Sequence, residues 1–459
     1  MKSQRFKNSI KVFLIILLSI GVFPLFAQPV FTDNVTDSVA ITYPTIGASA
    51  PSFVYHNPNS LTFKWTSGNG NGRIVMVSTD SSVNAWPADK SIYTANASYG
   101  SGASIGNAKV VYLGTGDSVT ITNLNSNVKY YFWVIEYTTV GTFKYYDTNL
   151  YLKTSTYTTL PDADGDMVPD VDDVYPADPL RAFLTNYPAS GYGTLLFEDL
   201  WPGIGDYDFN DLVLDYKYSI VSNGDNNVVE ADYTFVTRAI GGDLHNAFAF
   251  QLDGVAPDKI TSISGTKTTG VTWTTFNANG TEFDQPNHAN IIVFKDAYDL
   301  LPTSGGYWFV NVDSNAPDVG TDTTRIHLSF INNGTAPSGG TVSTTIMDAY
   351  SFNPYIIVNQ QRGKEIHLSN RIPTNKANFG FFGTVNDNSI PGIGRYYKSY
   401  NNLPWALDIN TSIPYTKEKV DFLQAYLNFS IWAQSNGLTN PDWYLDMPGN
   451  RNTSKLMIR

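Results

Sequence analysis

The 459-residue sequence contains no cysteine. Disulfides are excluded, and so is N-terminal lipidation, which needs a cysteine at the processing site. Stability must come from apolar cores and, where acidic residues crowd together, from bound cations. A basic surface is missing too. Lys2, Arg5, Lys7 and Lys11 lie in an N-terminal leader, which leaves 25 of the 29 basic residues to face 41 acidic ones. That balance argues against nucleic acid as a partner. Beyond the leader no run of about 18 apolar residues occurs, so no integral membrane span is expected after leader cleavage. Catalytic signatures are absent as well. The five histidines, His56, His245, His288, His327 and His367, form no metal-spaced pair, and neither HExxH nor G-x-S-x-G occurs. A non-enzymatic protein is expected. Acid pairs such as Glu198 with Asp206 could serve glycoside hydrolysis, but crowding among many acids favours an ion site over two carboxyls of separated pKa.

What is present begins with the leader itself. Its four cations precede VFLIILLSIGVFPLFA, a run too short for a comfortable span. It reads as a signal peptide over residues 1–27, cut near Ala27, with an uncleaved anchor as the alternative. Aromatics reach 14% against only 15% charged residues, with 29 Tyr and 36 Gly. This is the composition of an extracellular, mainly β protein.

Residues 38–160 carry short alternating runs at spacings near ten, which predicts a β-sandwich. The longest, VKYYFWVIEY, should turn one face to the core and show a largely aromatic other face. Leu124 and Tyr130 have the spacing of the tyrosine corner of fibronectin type III domains, and Trp65 fits their early core tryptophan. The segment resembles that family. It reads as a spacer, with a ligand face of exposed Tyr and Trp as the alternative.

Residues 161–216 hold thirteen carboxylates and one cation, Arg181. Such a density of like charge repels itself unless something neutralises it. Oxygen-only ligands in short loops suit calcium. Over 161–181, Asp162, Asp164, Asp166, the Val168 carbonyl, Asp170 and Asp173 fall at positions 1, 3, 5, 7, 9 and 12 of a twelve-residue calcium loop. Met167 stands at position 6, where an EF-hand has glycine, and no helix pair flanks the loop. The pattern resembles thrombospondin type 3 repeats, which implies a calcium-wrapped connector; a disordered acidic linker is the alternative.

A larger β domain, sandwich or jelly-roll-like, is predicted over residues 190–459. It opens with FEDLWPGIGDYDFNDLVLDY. In extended backbone Asp206, Asp208 and Asn210 would share one side, and Gly203 and Gly205 would let the turn bring Glu198 and Asp199 back to them. With Asp211 they form a second candidate calcium site; Asx turns without metal are the alternative. Further strands are expected in VVEADYTFVTRAI, AFAFQLDG, GVTWTTFNA, NIIVFKDA, YWFVNVD and RIHLSFIN. A helix is expected over 416–436, with Val420, Leu423, Leu427 and Ile431 as its apolar stripe, Thr416 as cap and Gly437 at its end.

The opening motif resembles the LruC domain of Bacteroidetes-type envelope and secreted proteins. Later segments agree with it: Arg362 to Leu368, Ile372 to Thr374, Asn401 to Ala406, and Asp442 to Tyr444. The resemblance implies architecture and address, not chemistry. The combined expectation is a secreted or cell-surface, outer-membrane-associated calcium-binding protein. It would act by adhesion or glycan binding, its partner an extracellular glycan or surface protein. A structural subunit of a surface assembly is the alternative, and a polysaccharide-active enzyme a more distant one.

Overall fold

The computed structural model describes residues 41–331 and 340–458. The leader expected over 1–27 lies outside them. Contacts divide the chain into two compact units. Among the described residues, the smaller gathers 41–52, 63–119 and 131–155; the larger gathers 53–62, 120–130 and those from 156 onward.

The first eight strands are β1 (Ser49–Asn57), β2 (Ser60–Thr66), β3 (Gly72–Ser78), β4 (Ser104–Ile105), β5 (Ala108–Gly114), β6 (Ser118–Ile121), β7 (Lys129–Val140) and β8 (Phe143–Tyr157). They form sheets ordered β1-β2-β6 and β4-β5-β3-β7-β8, a fibronectin III-like β-sandwich. Alternation decides this: Leu61, Phe63 and Trp65 of β2 are buried while Lys64 and Thr66 are exposed. The Phe63 ring lies 4.8 Å from that of Phe132 on β7. The Tyr130 hydroxyl accepts from Asn125 N–H at 2.9 Å, the corner that the leucine and tyrosine spacing predicts.

The aromatic face expected on β7 is not open. Trp133 and Ile135 are buried in a second cluster, against which Val83, Tyr93 and Ala103 pack. Arg73 and Glu136 form a buried ion pair, with Nη2 3.1 Å from Oε2. Gly68 N–H also donates to Glu136 at 2.9 Å. The long, weakly patterned segment between β3 and β5 covers this face, so the Tyr and Trp residues of β7 belong to a core.

The larger unit adds β9 (Phe183–Tyr187), β10 (Gly193–Phe197), β11 (Leu212–Ser222), β12 (Val228–Ala239), β13 (Ala247–Leu252), β14 (Ile260–Ser264), β15 (Ala289–Phe294), β16 (Asp322–Phe330), β17 (Phe352–Ile357), β18 (Glu365–His367), β19 (Ala406–Ile409), β20 (Tyr415–Thr416) and β21 (Leu456–Met457). One sheet runs β14-β16-β12-β11-β10-β19, with β9 also on β11; its partner runs β15-β13-β17-β18. The main core includes Leu214 and Phe235 of the first sheet and Phe250, Ile291 and Ile356 of the second. It is rich in rings: Tyr233 lies 4.5 Å from Phe250, and Tyr216 stacks on Phe352 at 5.5 Å. Much of the aromatic surplus is therefore core.

Several expectations are corrected. GVTWTTFNA and YWFVNVD contribute only isolated bridges, at Phe276 and Val310. The helix over 416–436 is two short helices, α1 (Phe422–Ala425) and α2 (Phe429–Gln434). Asp421, not Thr416, caps the first, accepting from Leu423 N–H at 2.8 Å. Its stripe is wrong as well: Leu427 and Ile431 are exposed, while Phe422, Tyr426 and Phe429 are buried. The larger rings take the inward positions because they remove more apolar surface from water. They form a second core with Leu196, Val213 and Trp443. Gly437 does end the segment, at φ +86.

Candidate metal centres

The acidic loop after Pro161 is folded back on itself. Asp162 accepts from the N–H groups of Gly165 and Met167 at 2.8 and 3.1 Å. Asp166 accepts from Val168 N–H at 2.8 Å, and Asp170 from Ala163 N–H at 2.7 Å. These turns occupy carboxylate oxygens of the loop without exhausting them. One oxygen each from Asp162, Asp164 and Asp166 lies within 4.8 Å of the others. Ligands 2.3–2.6 Å from one calcium ion are at most about 5 Å apart. Oδ2 of Asp164, Asp166 and Asp173 is buried with no hydrogen-bond partner. Asp173 Oδ1 accepts from Tyr175 N–H at 2.6 Å, and Val168 is buried. Asp170 and Asp173 stand outside the three-carboxylate group.

Met167 has φ +77. It takes the left-handed conformation that glycine supplies at position 6 of an EF-hand, so the departure in sequence is not one in backbone shape. The loop packs against a turn of its own unit. A Cβ added to Gly224, in the β11–β12 turn, would stand 2.8 Å from the Asp166 carbonyl oxygen. Arg181, the lone cation, grips Glu230 on β12 at 3.1 and 3.0 Å and also binds Asp178.

The second cluster is deeper. Glu198 follows β10 and is fully buried; Asp208 and Asn210 are buried and Asp206 is exposed. One oxygen each of Glu198, Asp206 and Asp208 lies within 4.8 Å of the others. Glu198 Oε1 accepts from Phe209 N–H, while Oε2 is buried without a partner, as is Asn210 Oδ1. Asp208 is held by Asn210 N–H at 3.2 Å and Lys419 N–H at 2.8 Å. Asp199 and Asp211 are not in the three-carboxylate group. Asp211 accepts from Asp199 N–H at 2.6 Å, and Asp199 from the Asn246 amide at 2.7 Å.

The expected extended backbone is wrong here. Tyr207 and Phe209 have φ +59 and +55, a costly conformation for large side chains. Their rings meet edge-on 4.9 Å apart and Phe209 meets Phe422 at 5.0 Å, so burial offsets the strain. The alternation still separates acids from rings, by a kinked path.

Electrostatically the second cluster is unbalanced. Burial, then Asp208, pushes the Glu198 carboxyl well above the usual carboxylate range. Burial, Asp206 and Glu418 raise Asp208 to about 8. Burial, then Asp199 and Glu198, raises Asp211. The donor set is hard oxygen, two of its atoms are buried and partnerless, and no cation contacts Glu198 or Asp208 among the described ion pairs. A calcium ion fits these residues.

Sequence reasoning missed the glycines that admit this cluster. A Cβ on Gly241 would fall 1.6 Å from Asn210 Oδ1, and one on Gly242 2.6 Å from Asp199 Oδ2. The Gly-Gly pair just past a strand was the available signal of close backbone approach. It also missed Glu418, raised to about 7 by burial and then Asp206, because only folding brings it near.

A family model for a domain of unknown function (DUF4842) matches residues 226–444. No curated protein matches. Among solved structures, the chain is similar to a protein of Bacteroides ovatus provisionally described as a lipoprotein. Identity is 18%, coverage is 84% of this chain and 99% of that one, and the TM-score is 0.45. A human fibronectin type III domain aligns at 16% identity over 28% of this chain and 99% of its own, with TM-score 0.17. Neither likeness assigns a role to any residue. The opening motif over 197–216 lies before the matched span. Among the described residues no helix is long and apolar enough to cross a membrane.

Proposed function

We propose that this is a secreted or cell-envelope calcium-binding β protein of the LruC type. Its loop at 162–173 acts as a thrombospondin type 3-like clamp, and its role is non-enzymatic, in adhesion or glycan binding. One observation carries the reading. Buried carboxylate oxygens of Asp164, Asp166, Asp173 and Glu198 have no hydrogen-bond donor, in a chain with no disulfide to hold the same loops. Leaving a buried charged oxygen unpaired costs several kcal/mol on the order-of-magnitude scale, and a divalent cation removes that cost. The ion would be structural: it would tie the acidic loop to the β11–β12 turn and the 198–211 loop to the second core. The test is elemental analysis of the mature protein after dialysis against calcium and then buffer. One ion per cluster is expected; less than one per chain overturns the reading.

A further inference from the structure

The larger unit holds a recess formed by none of the calcium candidates. Two hollows of about 380 and 270 Å³ share Leu407, Asp408 and Trp432 as a common wall. Asp408 is the one exposed residue of β19. That strand ends its sheet, so alternation turns Asp408 toward the main core at its open margin.

The two walls differ in chemistry. Around Asp408 on one side stand Tyr216, Tyr218, Trp443, Tyr444 and Asn410. On the other stand Asn370, Lys398, Asn402 and Asn436. Trp432 and Tyr444 are only half-buried, so part of each ring remains free to pack on a ligand.

The polar groups are held in place before any ligand arrives. Asp408 Oδ1 accepts from the Tyr216 hydroxyl at 2.6 Å. Asn410 accepts from the Tyr444 hydroxyl at 3.2 Å. Asn436 accepts from Lys398 Nζ at 2.9 Å, and Asn402 from Arg395 at 2.7 Å. Each contact leaves capacity unspent: a carboxylate offers a second oxygen, and an amide both donates and accepts. Flat rings beside a fixed carboxylate and several amides match a polyhydroxylated ring, which shows C–H faces to aromatics and hydroxyls to its rim. A cationic ligand would meet Asp408 but also Lys398 in the same recess.

We propose that this recess binds a neutral oligosaccharide, with Asp408 and Asn410 taking its hydroxyl groups and Trp432 and Tyr444 packing on its rings. The proposal rests on the glycan-binding reading above and names its site. The test is calorimetric titration of the mature chain in calcium with cellohexaose, mannohexaose, chitohexaose and, separately, spermidine. At least one hexaose should bind and quench tryptophan fluorescence. Asp408→Ala and Trp432→Ala should each weaken it roughly tenfold or more, the scale of a lost charge-assisted hydrogen bond or ring contact. Asp408→Asn and Trp432→Phe serve if the alanine variants melt early; the first should weaken binding and the second retain part of it. Hexaose binding untouched by all four variants overturns the site and leaves the glycan reading standing. Binding of no hexaose overturns both. Spermidine binding that Asp408→Asn abolishes, without hexaose binding, makes this an amine site and refutes the proposal.

Discussion

Replacing Glu198 by Gln separates the two accounts of the buried acids by the sign of its effect. Without a cation, the Glu198 carboxyl is disfavoured by burial and by Asp208. Removing its charge then relieves repulsion, and the variant should melt at or above the wild type. With calcium bound, the same change removes a ligand oxygen from a site whose third acid, Asp206, is exposed. The magnitude comes from mass action. A 100-fold excess of calcium over Kd stabilises by about 2.7 kcal/mol, which for a domain of this size shifts Tm by roughly 5–10 °C. Thermal melts in calcium and in chelator therefore give four values. The wild type should lose about that shift on chelation from the second cluster, beyond what the first contributes. Glu198→Gln should lose markedly less and should not fall below the wild type in chelator. Equal calcium shifts in both proteins would refute the assignment of Glu198, and no shift in either would refute calcium altogether.

Gly241→Ala should displace Asn210, cost about 1–3 kcal/mol by overpacking, and reduce the calcium shift; urea melts with and without calcium test both. Met167→Gly removes a left-handed methionine, so calorimetry should show calcium affinity at the first loop unchanged or higher, whereas a loss would mean the methionine side chain itself is needed. Glu136→Ala leaves buried Arg73 without its counter-ion, with only the Thr115 and Gly116 carbonyls to receive it, costing about 3–5 kcal/mol, read as early unfolding of the smaller unit. Glu365 is buried, which alone would raise its carboxyl, but Arg362 and His367 hold it at about 2. A depressed folded pKa gives stability that is present above the ordinary carboxylate pKa and lost as pH falls through the folded value. The gap between wild type and Glu365→Gln in chelator should therefore narrow between about pH 4.5 and about 2; a constant gap would show that the Glu365 charge contributes nothing.

Most strands were legible. β2, β6, β12 and β16 alternate buried with less buried positions, whereas β3, β13 and β15 are buried throughout and were legible only as short apolar runs. β17 was not, because Pro354 sits inside it and normally argues against a central strand. It pairs with both β13 and β18. The Thr416–Asn436 helix failed because a 3.6-residue stripe of aliphatics can be drawn through Val420, Leu423, Leu427 and Ile431, while packing selects the aromatics beside them. The acidic loops were legible as ligand-like spacing, since that information is local. The Gly241–Gly242 cradle, Lys419 N–H and Glu418 come from distant segments and could not be ordered around the cluster before the sheets were known.

The backbone over 206–210 joins metal chemistry to packing. Positive φ at Tyr207 and Phe209 sends alternate side chains to opposite sides of one strained segment. On one side are Asp206 and Asp208; on the other, rings enter the core formed with Phe422, Phe429 and Trp443. Neither half is stable alone: the acids repel, and the left-handed aromatics are strained. A cation would hold the acids in register, and the rings would hold the backbone that presents them. The Thr416 hydroxyl donates to the Asp208 carbonyl, and Phe422 N–H to that of Tyr207, so the C-terminal segment is fastened to the same loop. Loss of the ion should therefore loosen α1 and α2 before the main sandwich opens. Hydrogen exchange in chelator should show early deprotection at Phe422 and Tyr426 while β12 and β13 stay protected. Simultaneous deprotection of both helices and both strands would place the ion's influence in the whole domain and break the link between this loop and the helices.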